Sequence, residues 1–155
     1  MMKDYELDIL AVSETWMNDD ASNAVKFDLA APGFGILHVH GSRATGGPSR
    51  GGGLTVIYSS KLSVRARKKI MKPISLELQV VNVKSGSNHN VIVNIYYPPS
   101  SSKPAFLAEL ADFITTTGIE VGDQLVLCGD FNLPGLSSAT IDQDLENILE
   151  THGLQ

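Results

Sequence analysis

Two short apolar runs, each ending in an acid, set the tightest limit on what this chain can fold into. They are Asp8-Ile9-Leu10-Ala11-Val12-Ser13-Glu14 and Leu125-Val126-Leu127-Cys128-Gly129-Asp130. Runs this short and this continuously apolar read as strands buried on both faces. The first is therefore expected to be a central strand, in a sheet covered by other layers. A polar group at the end of such a strand sits at the rim of the sheet, where α/β enzymes place their ligands. Glu14, Asp130 and, two residues on, Asn132 are thus candidates for a site. The same residues also have a purely structural reading, because Gly129-Asp130-Phe131-Asn132 has good turn chemistry and Glu14 can act as a cap. Spacing alone leaves both readings open.

The remaining pattern mixes hairpins and crossovers. Met1 to Leu7 reads as the end of a helix. Phe34 to His40 and Leu54 to Tyr58 read as strands joined across the Gly/Ser-rich stretch 41–53, as in a hairpin. Ile74 to Val83 alternates apolar and polar residues, the pattern of a strand with one wet face. Ser85-Gly86-Ser87-Asn88 supplies a turn, Val91 to Tyr96 pairs back, and Pro98-Pro99 ends that strand for want of a ladder donor. Ser101 and Ser102 are candidate caps for a helix with Pro104 in its first turn and Phe106, Leu107, Leu110, Phe113 and Ile114 on its apolar face. Gly118 is the expected stop. Thr140-x-x-Gln143 fits a capping box for a last helix whose core face is Ile141, Leu145, Ile148 and Leu149, ending by Gly153. The prediction is one α/β domain over residues 1–155, an α/β sandwich and not a strictly parallel sheet.

Composition narrows the function. Hydrophobic residues make up 43% and charged residues 19% of the 155, which describes a globular chain and excludes a disordered one. No apolar run reaches the length of a membrane span and no secretory signal or glycosylation sequon is present, so an intracellular protein, nuclear or cytoplasmic, is expected. The lone Cys128 reads as a small buried hydrophobe. A net charge of −5 has the wrong sign for gripping nucleic acid by bulk attraction, so any phosphate binding must be local. The basic cluster Arg65, Arg67, Lys68, Lys69 and Lys72 reads as a solvated strand edge or hairpin.

Few oxygen ligands, one or two carboxylates and an amide, suit Mg²⁺, which keeps several waters and binds substrate phosphate. His38, His40, His89 and His152 fit no zinc spacing, and His38 and His40 read as surface residues on one strand face. The segment Gly46-Gly47-Pro48-Ser49-Arg50-Gly51-Gly52-Gly53 fits neither phosphate-loop template and leads into a strand. It reads as a hairpin loop whose Arg50 is placed to touch a phosphate.

Four segments occur together: Asp8 to Trp16 with Glu14-Thr15-Trp16; Arg50-Gly51-Gly52-Gly53-Leu54-Thr55-Val56-Ile57-Tyr58; Val93-Asn94-Ile95-Tyr96-Tyr97-Pro98-Pro99; and Leu127-Cys128-Gly129-Asp130-Phe131-Asn132. In this order they resemble the endonuclease/exonuclease/phosphatase (DNase I-like) superfamily, in the flavour of the apurinic/apyrimidinic-like endonuclease domains of LINE-type retrotransposons, which accompany a reverse transcriptase. The resemblance implies a partial DNase I-like sandwich of two mixed β-sheets flanked by helices. It also implies hydrolysis of a DNA phosphodiester with Mg²⁺ (or Mn²⁺). By the same resemblance Glu14 is the metal-binding glutamate, Tyr96 contacts the scissile phosphate while Tyr97 packs, Asp130 orients or activates the attacking water, and Asn132 bonds the phosphate or its partners. Two family features have no counterpart in these 155 residues: a first strand bearing an asparagine near the metal, and a Ser-Asp-His segment. The chain is accordingly expected to be a truncated domain with weak or absent activity, and to self-associate through an unpaired sheet edge beside Glu14 unless a segment covers it. The alternatives are a non-catalytic relic or binding module, and a phospholipid or phosphoinositide phosphoesterase of the same superfamily.

Overall fold

The structure is a computed structural model that describes residues 2, 4–17, 30–39, 52–68, 71–117, 124–135 and 141–154. Its centre is the hairpin of β5 (Glu77–Ser85) and β6 (Asn88–Tyr96), paired antiparallel from Glu77↔Tyr96 to Ser85↔Asn88 across the expected turn, with Gly86 at φ 60°. β4 (Ser63–Ala66) adds to one side of the hairpin. β7 (Gln124–Asp130) lies parallel to β6 on the other, giving the mixed sheet β4-β5-β6-β7. A parallel pair needs a long crossover. Helix α1 (Lys103–Thr116) lies within it.

The second sheet is antiparallel throughout, in the order β1-β3-β2, with β1 at Ile9–Val12, β2 at Phe34–Val39 and β3 at Leu54–Ser59. β2 and β3 pair as the expected hairpin, although residues 40–51 between them lie outside the described set. β1 corrects an expectation. It bonds to β3 alone among the described residues and so is an edge strand, not a central one. Its apolar run survives at an edge because Ile9 and Ala11 still pack on the facing sheet. Ahead of it, Leu7 N–H donates to Met2 O and Glu6 has φ 52°, a closure of the kind that ends a helix.

β5 overturns the reading of one wet face. Both faces are buried from Glu77 to Val81, because the mixed sheet is the middle layer of three. Leu78, Val80, Val93 and Ile95 face the helices, packing with Phe106, Leu110 and Phe113 of α1 and Leu145 of α2 (Gln143–Thr151). Val81 and Val83 face the antiparallel sheet and meet Val56. Ser75, Glu77 and Gln79, polar residues of the alternating pattern, are therefore inside, while Asn82 stays exposed. Gln79 Nε2 donates to Leu37 O at 3.0 Å, and Asn94 Nδ2 donates to Val12 O at 3.1 Å and Thr55 O at 3.4 Å. These amides tie one sheet to the other, supplying directional bonds that apolar packing lacks.

Smaller differences follow from local chemistry. Ser102 stands at the N-cap of α1 but makes no side-chain cap bond, and Pro104 lies in the first turn as expected. α2 is capped by Asp142, whose carboxylate accepts from Asp144 N–H and Leu145 N–H; Thr140 and the expected stop Gly118 lie outside the described residues. Ile141 precedes the helix and is 50% exposed, so it does not share the core face with Leu145. His38 is half-buried, with Nδ1 2.7 Å from Thr55 Oγ1, and is not a surface residue; His40 is outside the described set. Cys128 is half-buried and free, its Sγ 3.5 Å from Val93 O, with burial pushing the thiol up from its ordinary value. Among the described residues no helix is long and apolar enough to cross a membrane.

Candidate active site

Glu14 lies just past β1, where the chain turns sharply. Glu14 at φ 52° and Trp16 at φ 55° both occupy the left-handed region, which costs a non-glycine residue about 1–3 kcal/mol. The turn is held by the glycine pair before β3: Thr15 N–H donates to Gly53 O at 3.1 Å and Trp16 N–H to Gly52 O at 2.9 Å. Gly52 and Gly53 have φ of 78° and 91°, values that glycine alone adopts without cost. The end of the Gly-rich stretch is thus the bed on which the Glu14 segment lies. Arg50 lies outside the described residues.

The Tyr96 hydroxyl donates to Glu14 Oε1 at 2.5 Å, joining the end of β6 to the end of β1 across the two sheets. Tyr96 is also the register partner of Glu77 on β5 and of Asp130 on β7. Burial pushes its phenol well above the ordinary value of 10.0, and the bond to Glu14 and the charges of Glu14, Glu77 and Asp130 push the same way. The hydroxyl is therefore protonated throughout the neutral range and can only donate to an anion. Tyr97 points to the other layer, as expected: it is buried, its ring stacks on Phe106 at 4.5 Å, and its hydroxyl donates to Ser101 O.

Asp130 closes β7, and Tyr97 N–H donates to its carbonyl. β7 approaches β6 so closely here that a side chain on Gly129, at φ 129°, would collide with the Ile95 backbone. Beyond it the chain forms the turn that Gly-Asp-x-Asn favours. Asp130 Oδ1 accepts Asn132 N–H at 3.0 Å, Asn132 sits at φ 43°, and its Nδ2 donates to Tyr97 O at 2.8 Å. Glu14, Tyr96 and Asp130 are thus brought together at one end of the sandwich, with Asn132 two residues on.

Sequence reasoning missed Glu77. It is 8% exposed, and its Oε2 accepts Gly53 N–H at 2.7 Å. The available signal was a carboxylate inside Leu76-Glu77-Leu78, which the alternating pattern disguised as a wet position. Among the described residues no three His, Cys, Asp or Glu side chains cluster as a metal cage. The donors that do converge are oxygens, a sparse set that fits Mg²⁺ or Mn²⁺ with water in the rest of the shell and does not fit a structural zinc.

The described fold has known counterparts. It superposes on the endonuclease domain of TRAS1, a telomere-specific non-LTR retrotransposon, with a TM-score of 0.65 at 14% identity, covering 98% of this chain and 61% of that one. An AP endonuclease from Archaeoglobus fulgidus gives 0.59 at 16% identity, covering 97% and 62%. A humanized D. rerio TDP2 gives 0.62 at 10% identity, covering 95% and 55%. The chain therefore spans between 55% and 62% of these structures. No curated protein shows significant sequence similarity to the chain. The sequence itself matches the description of the Endonuclease/Exonuclease/phosphatase family over residues 1–144. With a partial DNase I-like sandwich carrying a carboxylate at the ends of β1 and β7, this chain belongs to the endonuclease/exonuclease/phosphatase family.

Proposed function

We propose that this chain carries the central part of a divalent-metal-dependent phosphodiesterase site of endonuclease type, with DNA as the substrate. The observation that carries the reading is the bond from the Tyr96 hydroxyl to Glu14, with Asp130 in register beside Tyr96. Residues from three distant segments meet there, which turn chemistry alone does not require. Glu14 would hold Mg²⁺ or Mn²⁺ with water, and the bound metal supplies charge stabilisation at a phosphoryl oxygen. Tyr96, held protonated, has a single O–H and would turn it from Glu14 to a phosphate oxygen once Glu14 holds the metal. Asp130 orients the attacking water and accepts its proton. Asn132 has a second N–H beside the one given to Tyr97 O and offers it to the phosphate. Arg50 is proposed as a further phosphate contact.

The retrotransposon endonuclease branch is favoured within the family by Glu14-Thr15-Trp16 and by Gly51 to Tyr58, and the likeness to the TRAS1 domain supports it. Such a role implies an intracellular, DNA-facing protein. The side of β1 that has no partner strand among the described residues supports self-association as a second property of the chain. A non-catalytic reading draws on a different observation. Asp130 Oδ1 already accepts Asn132 N–H and Asn132 Nδ2 already donates to Tyr97 O, the bonds of a structural turn.

Nicking of supercoiled plasmid with Mg²⁺ or Mn²⁺ separates the two. The residues alone are expected to nick weakly or not at all, since general acid–base help is typically worth ~10²- to 10⁴-fold. A version extended with a family first strand and Ser-Asp-His segment is expected to nick, and to lose that activity on Asp130→Ala. An extended version that folds, binds metal and remains inert would favour the non-catalytic reading.

A further inference from the structure

We infer that Glu77 is a positioning residue for Glu14, acting through the Gly52-Gly53 pair. Its carboxylate is buried behind the site and accepts Gly53 N–H at 2.7 Å. It also fills the space beside Gly52 so closely that a side chain on that glycine would overlap it. The carbonyls of the same two glycines receive Thr15 N–H and Trp16 N–H, the bonds that hold Glu14 in its left-handed turn. A single line of contacts thus runs from Glu77 through the glycine pair to the backbone of the two residues that follow Glu14. Glu77 is in register with Tyr96, whose hydroxyl reaches Glu14 from the opposite direction, so the line closes on itself.

The energetics favour this role over plain core filling. A buried carboxylate is costly, and an apolar residue would serve packing better on the strand face that also carries Val81 and Val83. What an apolar residue cannot do is fix a backbone N–H, and a charged acceptor does so about twice as strongly as a neutral one. The glycines are needed for the same reason: only they bring the backbone this close to the carboxylate at positive φ. Partners that orient a metal ligand typically change metal affinity about 10- to 100-fold when removed.

The experiment compares the wild-type chain, Glu77→Ala and Glu77→Gln by amide hydrogen exchange and by Mn²⁺ titration calorimetry. The exchange readout is independent of the proposed metal function; the titration rests on it. In Glu77→Ala the amides of Thr15, Trp16 and Gly53 are expected to exchange at least ~10-fold faster, with β5 and β6 protected as in the wild type, because one charged hydrogen bond is lost locally. Mn²⁺ affinity is expected to fall about 10- to 100-fold, and Glu77→Gln, which keeps an acceptor, to lie between the two. Unchanged protection at Thr15 and Trp16, or a loss spread evenly over β5 and β6, would overturn the inference. If Glu77→Ala does not fold, Glu77→Gln decides, with faster exchange confined to those three amides supporting the inference and unchanged exchange refuting it. Mn²⁺ binding that depends on Glu14 but not on Glu77 defeats this inference alone. Binding indifferent to Glu14 defeats the metal reading and leaves the exchange result to stand by itself.

Discussion

Asn94 shows how much a single buried amide carries here. It is 0% exposed, and its two bonds are the link between the strand that ends in Tyr96 and the carbonyls of Val12 and Thr55 in the other sheet. Asn94→Ala would leave the buried Thr55 carbonyl and the half-buried Val12 carbonyl short of this donor, so the unfolding free energy is expected to fall by about 1–3 kcal/mol. Urea denaturation of the variant against the wild type measures this, and a loss below a few tenths would show that water replaces the amide without cost. Residues of this kind were the least legible in the sequence. Asn94 in Val93-Asn94-Ile95, and Glu77 and Gln79 in β5, have the spacing of solvent-facing positions, and only the presence of a facing sheet reverses that meaning. The turn at Asp130 was legible because a glycine and an asparagine bracket it in turn order, whereas the packing of Tyr97 was implied by the family resemblance and not by its neighbours.

Elements came through more completely than residues. The β5–β6 hairpin, the β2–β3 pair and α1 each have a local cause visible in the chain, namely turn residues, alternation, or an apolar stripe. The failures are positional. β1 was readable as a strand but not as an edge, since periodicity says nothing about which neighbours a strand lacks. With one side of β1 open among the described residues, the chain is expected to associate as concentration rises, and sedimentation velocity over a wide concentration range should show it. A stable monomer with rapid amide exchange along Ile9–Val12 would count against this. The start of α2 carries a pH signature. Lys103 Nζ lies 2.8 Å from Asp142 and 2.7 Å from Asp144, and the bond from Lys103 holds the Asp142 carboxyl below its ordinary value of 3.8. A carboxyl lowered on folding stabilises fully above its unfolded value and loses that contribution as pH falls through the lowered one. Asp142→Ala is therefore expected to lower Tm by a constant amount at pH 7 and pH 5, and by a shrinking amount below about pH 4. A difference that grows toward acid pH would contradict the sign.

At the scale of the molecule the layers explain why Glu14, Tyr96 and Asp130 meet. β6 is the shared strand. One face of it lies on the helices through Val91, Val93 and Ile95, and the other meets the antiparallel sheet through Ile92, Asn94 and Tyr96. Its end is where the edge strand β1 and the parallel strand β7 both stop, so Glu14 and Asp130 arrive at Tyr96 from opposite sides. The account stands or falls on Glu14 as the metal carboxylate, and titration calorimetry of Mn²⁺ into the chain and its Glu14→Gln variant tests that most directly. It predicts weak binding by the wild type, since one carboxylate and water make up most of the shell, and no measurable binding by the variant. Equal binding by the two proteins, or none by a folded wild type at millimolar Mn²⁺, would contradict it.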